Sequence, residues 1–281
     1  MKRLIVNADD FGLHESVNRG IYKAHTQGIV ASTSLMAGGY AFEDAINIKR
    51  RCPDLGVGVH LTLVGGCPVA PAAQIASLVD DQSCFCSSYP VFLSRFLRGN
   101  IRLAEVEQEL TAQIEKVLAA GVTPTHLDSH QHLHVVPGIA GIVLNLARRF
   151  SIRSIRIPAE PLMFFGGKIP SIGRLIGRTG LTVLANRFRR QAVGAGFLVT
   201  DHFFGMLSGG QMDEPTLFSI LRKLPEGDSE IMVHPGELDA ALAAKYPWGY
   251  HWDDELQALC SDREKEAVQQ QKIQLISYRE L

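Results

Sequence analysis

Residues 3–12 read R-L-I-V-N-A-D-D-F-G. Leu4, Ile5 and Val6 form a short apolar run without polar alternation, as expected of a strand buried on both faces in a parallel sheet. The run is followed by two adjacent carboxylates, Asp9 and Asp10. Asp is favoured as a helix cap, and Gly12 permits a turn. The next helical pattern starts only at residue 15, however, and neighbouring carboxylates at a buried strand end repel unless a cation or protons neutralise them. A buried strand that ends in ionisable groups is the motif to look for elsewhere.

It recurs. Apolar runs alternate with helical patterns along the chain. Helices are expected over 15–27, 41–51, 104–120, 138–149 and 214–224, where apolar residues fall at helical spacing. Between them lie IVASTSLMAGG, LGVGVHLTL, PTHLD, IRSIRIP, GFLVTDH and SEIMVHP, with KIQLISY near the end. Strand–helix alternation implies a parallel sheet with crossover helices. Seven or eight mostly parallel strands in this length predict an α/β fold, a distorted (β/α) barrel, with a doubly wound open sheet as runner-up. The missing G-x-G-x-x-G after the first strand counts against a dinucleotide fold. Residues 1–281 read as one catalytic domain with insertions at about 65–100 and 161–196.

In barrels the C-terminal strand ends carry the chemistry. The third run leads to His60, the fourth to Asp128 and His130, the sixth to Asp201 and His202, and the seventh to His234. The fourth opens T-H-L-D-S-H-Q-H-L-H, residues 125–134, with four histidines. An extended run of that length spans more than about 20 Å, so one ion cannot collect all four. One or two of them are expected to bind an ion whose other ligands come from elsewhere. His126 reads as structural, His132 and His134 as groove-lining or hydrogen-bonded to backbone. Asp128 is suited to orienting a ligand histidine. Asp128, His132, Arg156, Asp201 and His202 are also candidate substrate-binding residues; Arg156 and Glu160 could instead form an ordinary ion pair. A lone buried His60 would read as a core residue; beside the other strand ends it reads as a ligand. His234 reads as a general acid rather than a plain loop residue.

A hydrophobic fraction of 46% and a formal net charge of -1 describe a globular protein with no field to draw nucleic acid. The five cysteines form no framework, which suits a reducing cytoplasm, and Cys84-x-Cys86 is a weak metal motif. The N-terminal apolar run is too short for a secretory signal, and no run is long enough to span a membrane. Residues 161–196 hold Lys168, Arg174, Arg178, Arg187, Arg189 and Arg190 with interleaved apolar residues and no acid. They read as a helical excursion packed on the barrel or, more sharply, as a lid or a peripheral contact with anionic lipid at the inner face of the membrane. A homodimer is compatible with this reading.

VNADDFG, GVHLTL, THLDSHQHLH and MVHPGE occur in the order seen in the YdjC-like carbohydrate deacetylases, and the chain resembles that family over essentially its whole length. The resemblance implies a fold like that of the polysaccharide deacetylases and removal of N-acetyl groups from amino sugars with one divalent metal ion. It implies Asp10, His60 and His130 as metal ligands, Asp9 as general base and His234 as general acid. Many relatives carry histidine where this chain has Gln131, which keeps His132 as the alternative to His130. The overall match looks closest to the branch associated with hopanoid biosynthesis. That branch implies an N-acetylglucosamine-bearing hopanoid lipid as substrate, with soluble chitooligosaccharides as the alternative. Two imidazoles and a carboxylate suit zinc; magnesium, manganese, cobalt and nickel are also allowed. The competing readings are a metal-dependent phosphoesterase, which usually needs more carboxylates, a metal-storage module, and a non-catalytic glycan-binding barrel, which would not need Asp9, Asp10 and His234.

Overall fold

The computed structural model describes residues 1–161, 164 and 172–281. Strands β1 (Lys2–Phe11), β2 (Ser32–Leu35), β3 (Gly56–Leu61), β4 (His126–Ser129), β5 (Ser154–Ile155), β6 (His202–Phe204), β7 (Gly227–Val233) and β8 (Gln274–Leu275) form one parallel sheet. Its order is β5-β4-β3-β2-β1-β7-β6, with β8 on β1 beside that path. The sheet curls into a distorted barrel. Leu198 bridges β5, exchanging backbone hydrogen bonds with Arg153 and Ile155, and the chain then runs on into β6, so one segment closes the ring.

The helices are α1 (Glu15–Thr26), α2 (Phe42–Arg51), α3 (Tyr89–Leu97), α4 (Leu103–Ala119), α5 (Ile139–Arg149), α6 (Ile172–Gly194), α7 (Glu214–Arg222), α8 (Ala240–Lys245), α9 (Trp252–Cys260) and α10 (Asp262–Gln270). The crossover helices turn apolar faces to the sheet. Val17, Ile21 and Ala24 of α1, and Val106, Leu110, Ile114 and Val117 of α4, are buried in one core with Leu4, Val6 and Ala8 of β1.

Strand side chains alternate in direction. Leu4, Val6 and Ala8 therefore face the helices, whereas Ile5, Asn7 and Asp9 face the barrel axis. Ile5 packs with Ile276 and Tyr278 at the base of the axis. Above them the axis is polar: Asn7 donates to Ser34, Ser34 donates to Asp128, and the His126 ring stacks on Tyr278 at 3.8 Å. Gly58 makes room for that imidazole, since a Cβ there would sit 2.4 Å from the ring. The same period of two brings His60, Asp128, Arg156, Glu230 and His234 inward.

Described residues of both excursions, Tyr89 and Leu93 of the first and Leu181 and Leu184 of the second, line the mouth. Residues 65–100 include α3 and are tied down by buried α4 carboxylates: Glu109 accepts from the Val69 and Ala70 amides, and Glu105 from Ser77. Part of 161–196, including Lys168, lies outside the described residues. In the rest, Ala185, Phe188 and Ala192 of α6 pack on the barrel. Arg178 is buried and donates to the Pro161 and Phe164 carbonyls, and Arg189 donates to Thr200, so the basic face is narrower than the sequence suggests. Among the described residues no helix is long and apolar enough to cross a membrane.

One expectation is corrected. Asp201 and His202 do not end a strand. His202 opens β6 opposite Ser229, and Asp201 accepts from the Asp228 amide near the N-terminal end of β7. Both lie toward the opposite end of the sheet from His234, away from the mouth. The apolar run Gly196–Val199 resembles a strand that ends at Asp201, but the residues paired with β7 are His202, Phe203 and Phe204, so the strand starts where the run was read as ending.

Candidate metal and catalytic site

Asp10 adopts φ +66°, a left-handed conformation that Asp tolerates better than most residues, and both carboxylates at the end of β1 reach His60 Nε2, Asp9 at 3.9 Å and Asp10 at 3.5 Å. His60 comes from β3. His130 follows β4 directly and is turned back over the barrel by two consecutive left-handed residues, Gln131 and His132. The three side chains converge. Asp10 Oδ1 lies 3.1 Å from His130 Nδ1 and 3.5 Å from His60 Nε2. The donor atoms of Asp10, His60 and His130 all lie within 4.8 Å of one another.

A second trio, Asp9, His60 and Asp128, meets the same distance criterion, but its carboxylates are already engaged. Asp128 Oδ1 accepts from His60 Nδ1 at 2.9 Å, and Oδ2 faces Ser34 and Arg156. Both Asp9 oxygens accept from Arg156, at 2.6 and 2.7 Å. Asp10 Oδ2, in contrast, is buried and has no hydrogen-bond partner. Because Asp128 can only accept, His60 holds a proton on Nδ1 and presents Nε2 to Asp10. An orphaned carboxylate oxygen beside two oriented imidazoles fits a divalent ion.

The electrostatics agree. Burial would raise Asp10, yet the His130 and His60 imidazoles hold it well below the usual carboxylate range. Burial would lower His60, but the Asp128 and Asp9 charges, with hydrogen bonds to Asp10 and Asp128, push it up to about 10. The pocket thus recruits a positive charge of its own. Because His60 is raised from 6.5, it holds a second proton below about pH 10, and an ion must displace that proton. Apparent cation affinity should therefore rise with pH up to about 10, with roughly one proton released per ion near pH 8. Calorimetry in two buffers of different ionisation enthalpy measures this; binding without proton release contradicts it.

Arg156 and Asp128 are not substrate contacts: both are fully buried. Arg156 bonds Asp9 bidentately and reaches Glu230 at 2.8 Å and Asp128 at 2.6 Å. Burial would lower Arg156, but Asp128, Asp9 and Glu230 keep it charged. Its task is to hold Asp9 still. Glu160 does not pair with it and accepts instead from the Gly205, Met206 and Leu207 amides. Removing one partner of a buried ion network leaves uncompensated charge. Arg156→Met should therefore cost about 3 kcal/mol in stability, read as a lower midpoint in denaturant; an unchanged midpoint contradicts the network.

His234 follows β7. Its amide donates to Glu255 of α9, whose Oε2 also lies 4.0 Å from His234 Nδ1. His132 stands apart from Asp10, with its ring against His134 and Phe203. Burial, then Arg156, hold it well below the usual imidazole range. His134 is structural, with Nδ1 2.6 Å from Ser129 and Nε2 facing the Arg156 carbonyl. Gln131 accepts from the Tyr89 amide and so ties α3 to the site. Cys84 lies by Cys67 at 3.8 Å and Cys86 by Arg95, and no metal-competent trio among the described residues contains a cysteine. Asp9, His60, His130, His132 and His234 line one cavity of about 640 Å³. Trp248 and Tyr250, which the sequence reading passed over, line it as well.

Comparison with known proteins identifies the family. The profile described as "YdjC-like protein" matches residues 3–270. The chain belongs to the YdjC-like family. A Brevibacillus brevis protein named carbohydrate deacetylase is 35% identical, with 99% of each chain covered. One from Mus musculus with the same name is 32% identical over 83% of this chain and 78% of its own. A crystal structure of a proposed cellobiose-phosphate cleavage protein from Enterococcus faecalis V583 superposes with a TM-score of 0.79. It is 28% identical, with 99% of this chain and 98% of that one covered.

Proposed function

We propose that this YdjC-like chain is a metal-dependent carbohydrate deacetylase that hydrolyses the N-acetyl group of an amino sugar and releases acetate. The observation that carries the reading is the convergence of Asp9, His60, His130 and His234, from four strand ends, on one cavity, with Asp10 buried against the two imidazoles His60 and His130. The names of the curated relatives support the same activity.

Asp10, His60 and His130 would hold one divalent ion, zinc or magnesium before manganese, cobalt or nickel. Such an ion supplies Lewis acidity towards a carbonyl oxygen and a water. The protein's own groups move the protons. Asp9, clamped by Arg156 and Asn7, takes the proton of the attacking water as the C–O bond forms. His234 on the cavity wall then delivers a proton to the amide nitrogen as the C–N bond breaks, since an amine anion is a poor leaving group. The buried walls keep bulk water from competing with these transfers.

For the substrate we favour an N-acetylglucosamine-bearing hopanoid glycolipid at the cytoplasmic face of a membrane. Beyond the catalytic groups the cavity is walled by Leu93 of α3, Leu133, Val136, Leu181 and Leu184 of α6, and Met206, which suits an apolar aglycone. Exposed Ile176 and Val183 on α6, with Arg187 and Arg190, suit a lipid surface. Soluble chitooligosaccharides are the second reading, favoured by the disaccharide-phosphate description of the Enterococcus neighbour. The test is acetate release by metal-loaded protein from N-acetylglucosamine glycolipids and from chitooligosaccharides. Acetate from neither, with phosphate released from phosphoesters, would reject the reading.

A further inference from the structure

Residues 246–252 read Y-P-W-G-Y-H-W, with an aromatic ring at every second position. Tyr246, Trp248, Tyr250 and Trp252 form an unbroken ladder, with ring centroids 5.0, 5.5 and 5.6 Å apart in turn. The ladder links the two halves of the chemistry. Trp248 lies 5.2 Å from the His130 ring, and Tyr250 lies 4.8 Å from the His234 ring.

Its footing is rigid. The Trp252 ring covers Gly236, where a Cβ would approach it to 3.2 Å, and the Trp252 carbonyl accepts from the Gly236 amide. Tyr250 lies flat on Gly210, which has φ +75° and has room for the ring only because it lacks a Cβ. The His251 amide also donates to the Gly210 carbonyl. Trp252 is buried, whereas Trp248 and Tyr250 are half-buried and line the cavity. Core packing accounts for Trp252. It does not account for two open aromatic rings aimed at the space between a metal-binding trio and a proton donor.

We propose that Trp248, with Tyr250 beside it, is the platform on which the pyranose ring of the substrate stacks. A gluco-configured ring presents an apolar C–H face that an indole can cover, while its hydroxyls stay at the edge for polar partners. Seated there, the sugar has its acetamido group between Asp10–His60–His130 and His234. The inference rests on the deacetylase reading for the reaction, but not for the binding step.

The test compares two substrates and one optical signal in zinc-loaded protein. Trp248→Ala should raise KM for di-N-acetylchitobiose about tenfold or more. The effect on kcat should be smaller, and the loss should exceed the loss on p-nitrophenyl acetate, which has no pyranose. Trp248→Phe, which keeps a ring, should recover most of the affinity. The same disaccharide should quench tryptophan fluorescence in the parent chain, and much less so in Trp248→Phe. An unchanged KM in Trp248→Ala, or equal losses on sugar and ester, overturns the platform. If the parent chain releases no acetate from any sugar, the deacetylase reading fails. The fluorescence titration still decides the platform then: quenching through Trp248 supports it, and none overturns it.

Discussion

Asp9→Asn should lower kcat for acetate release by about 10³-fold while leaving one divalent ion bound per chain. The two effects separate because Asp9 and Asp10, though adjacent, serve different partners. Asp9 faces the Arg156 guanidinium and the cavity; Asp10 faces the two imidazoles. Asparagine keeps the size of the side chain but cannot take a proton from water. Arg156 retains Asp128 and Glu230, so the network survives the change. Initial rates together with metal analysis give the answer. Full turnover in the variant would remove Asp9 as the base.

Asp10→Asn should weaken divalent binding by at least about 100-fold and abolish turnover at limiting metal. Asparagine tolerates the left-handed backbone at residue 10, so the variant tests charge rather than conformation. It leaves His60 and His130 facing an amide instead of a carboxylate. Titration calorimetry with zinc reads the loss. Parent-like affinity would move the ion to the trio of Asp9, His60 and Asp128.

How far the sequence reveals this site depends on how local each signal is. Asp9, Asp10, His60 and His234 sit at the ends of buried apolar runs, and a strand delivers its last side chains to the barrel mouth wherever it lies in the sheet. That inference needs no long-range information. Asp201 and His202 misled because Gly196–Val199 resembles a strand, while the strand paired with β7 begins only at His202. Arg156 was legible as a charge and illegible as a clamp. Its partner Asp9 is 147 residues away, and only the closed barrel brings them together. Glu105 and Glu109 look like a solvated helix face, yet they anchor the segment over the mouth. The aromatic strip over residues 246–252 was within reach: a ring at every second position is a strand-like signal, and Pro247 and Gly249 masked it.

The claim on which the account rests is that Asp10, His60 and His130 grip one ion in front of Asp9 and His234. Anomalous diffraction from crystals soaked in zinc tests it most directly. The account predicts a single strong peak about 2.0–2.2 Å from an Asp10 carboxylate oxygen, His60 Nε2 and His130 Nδ1. A peak on His132 or His134, one between Asp9 and Asp128, or none in the barrel mouth would contradict it.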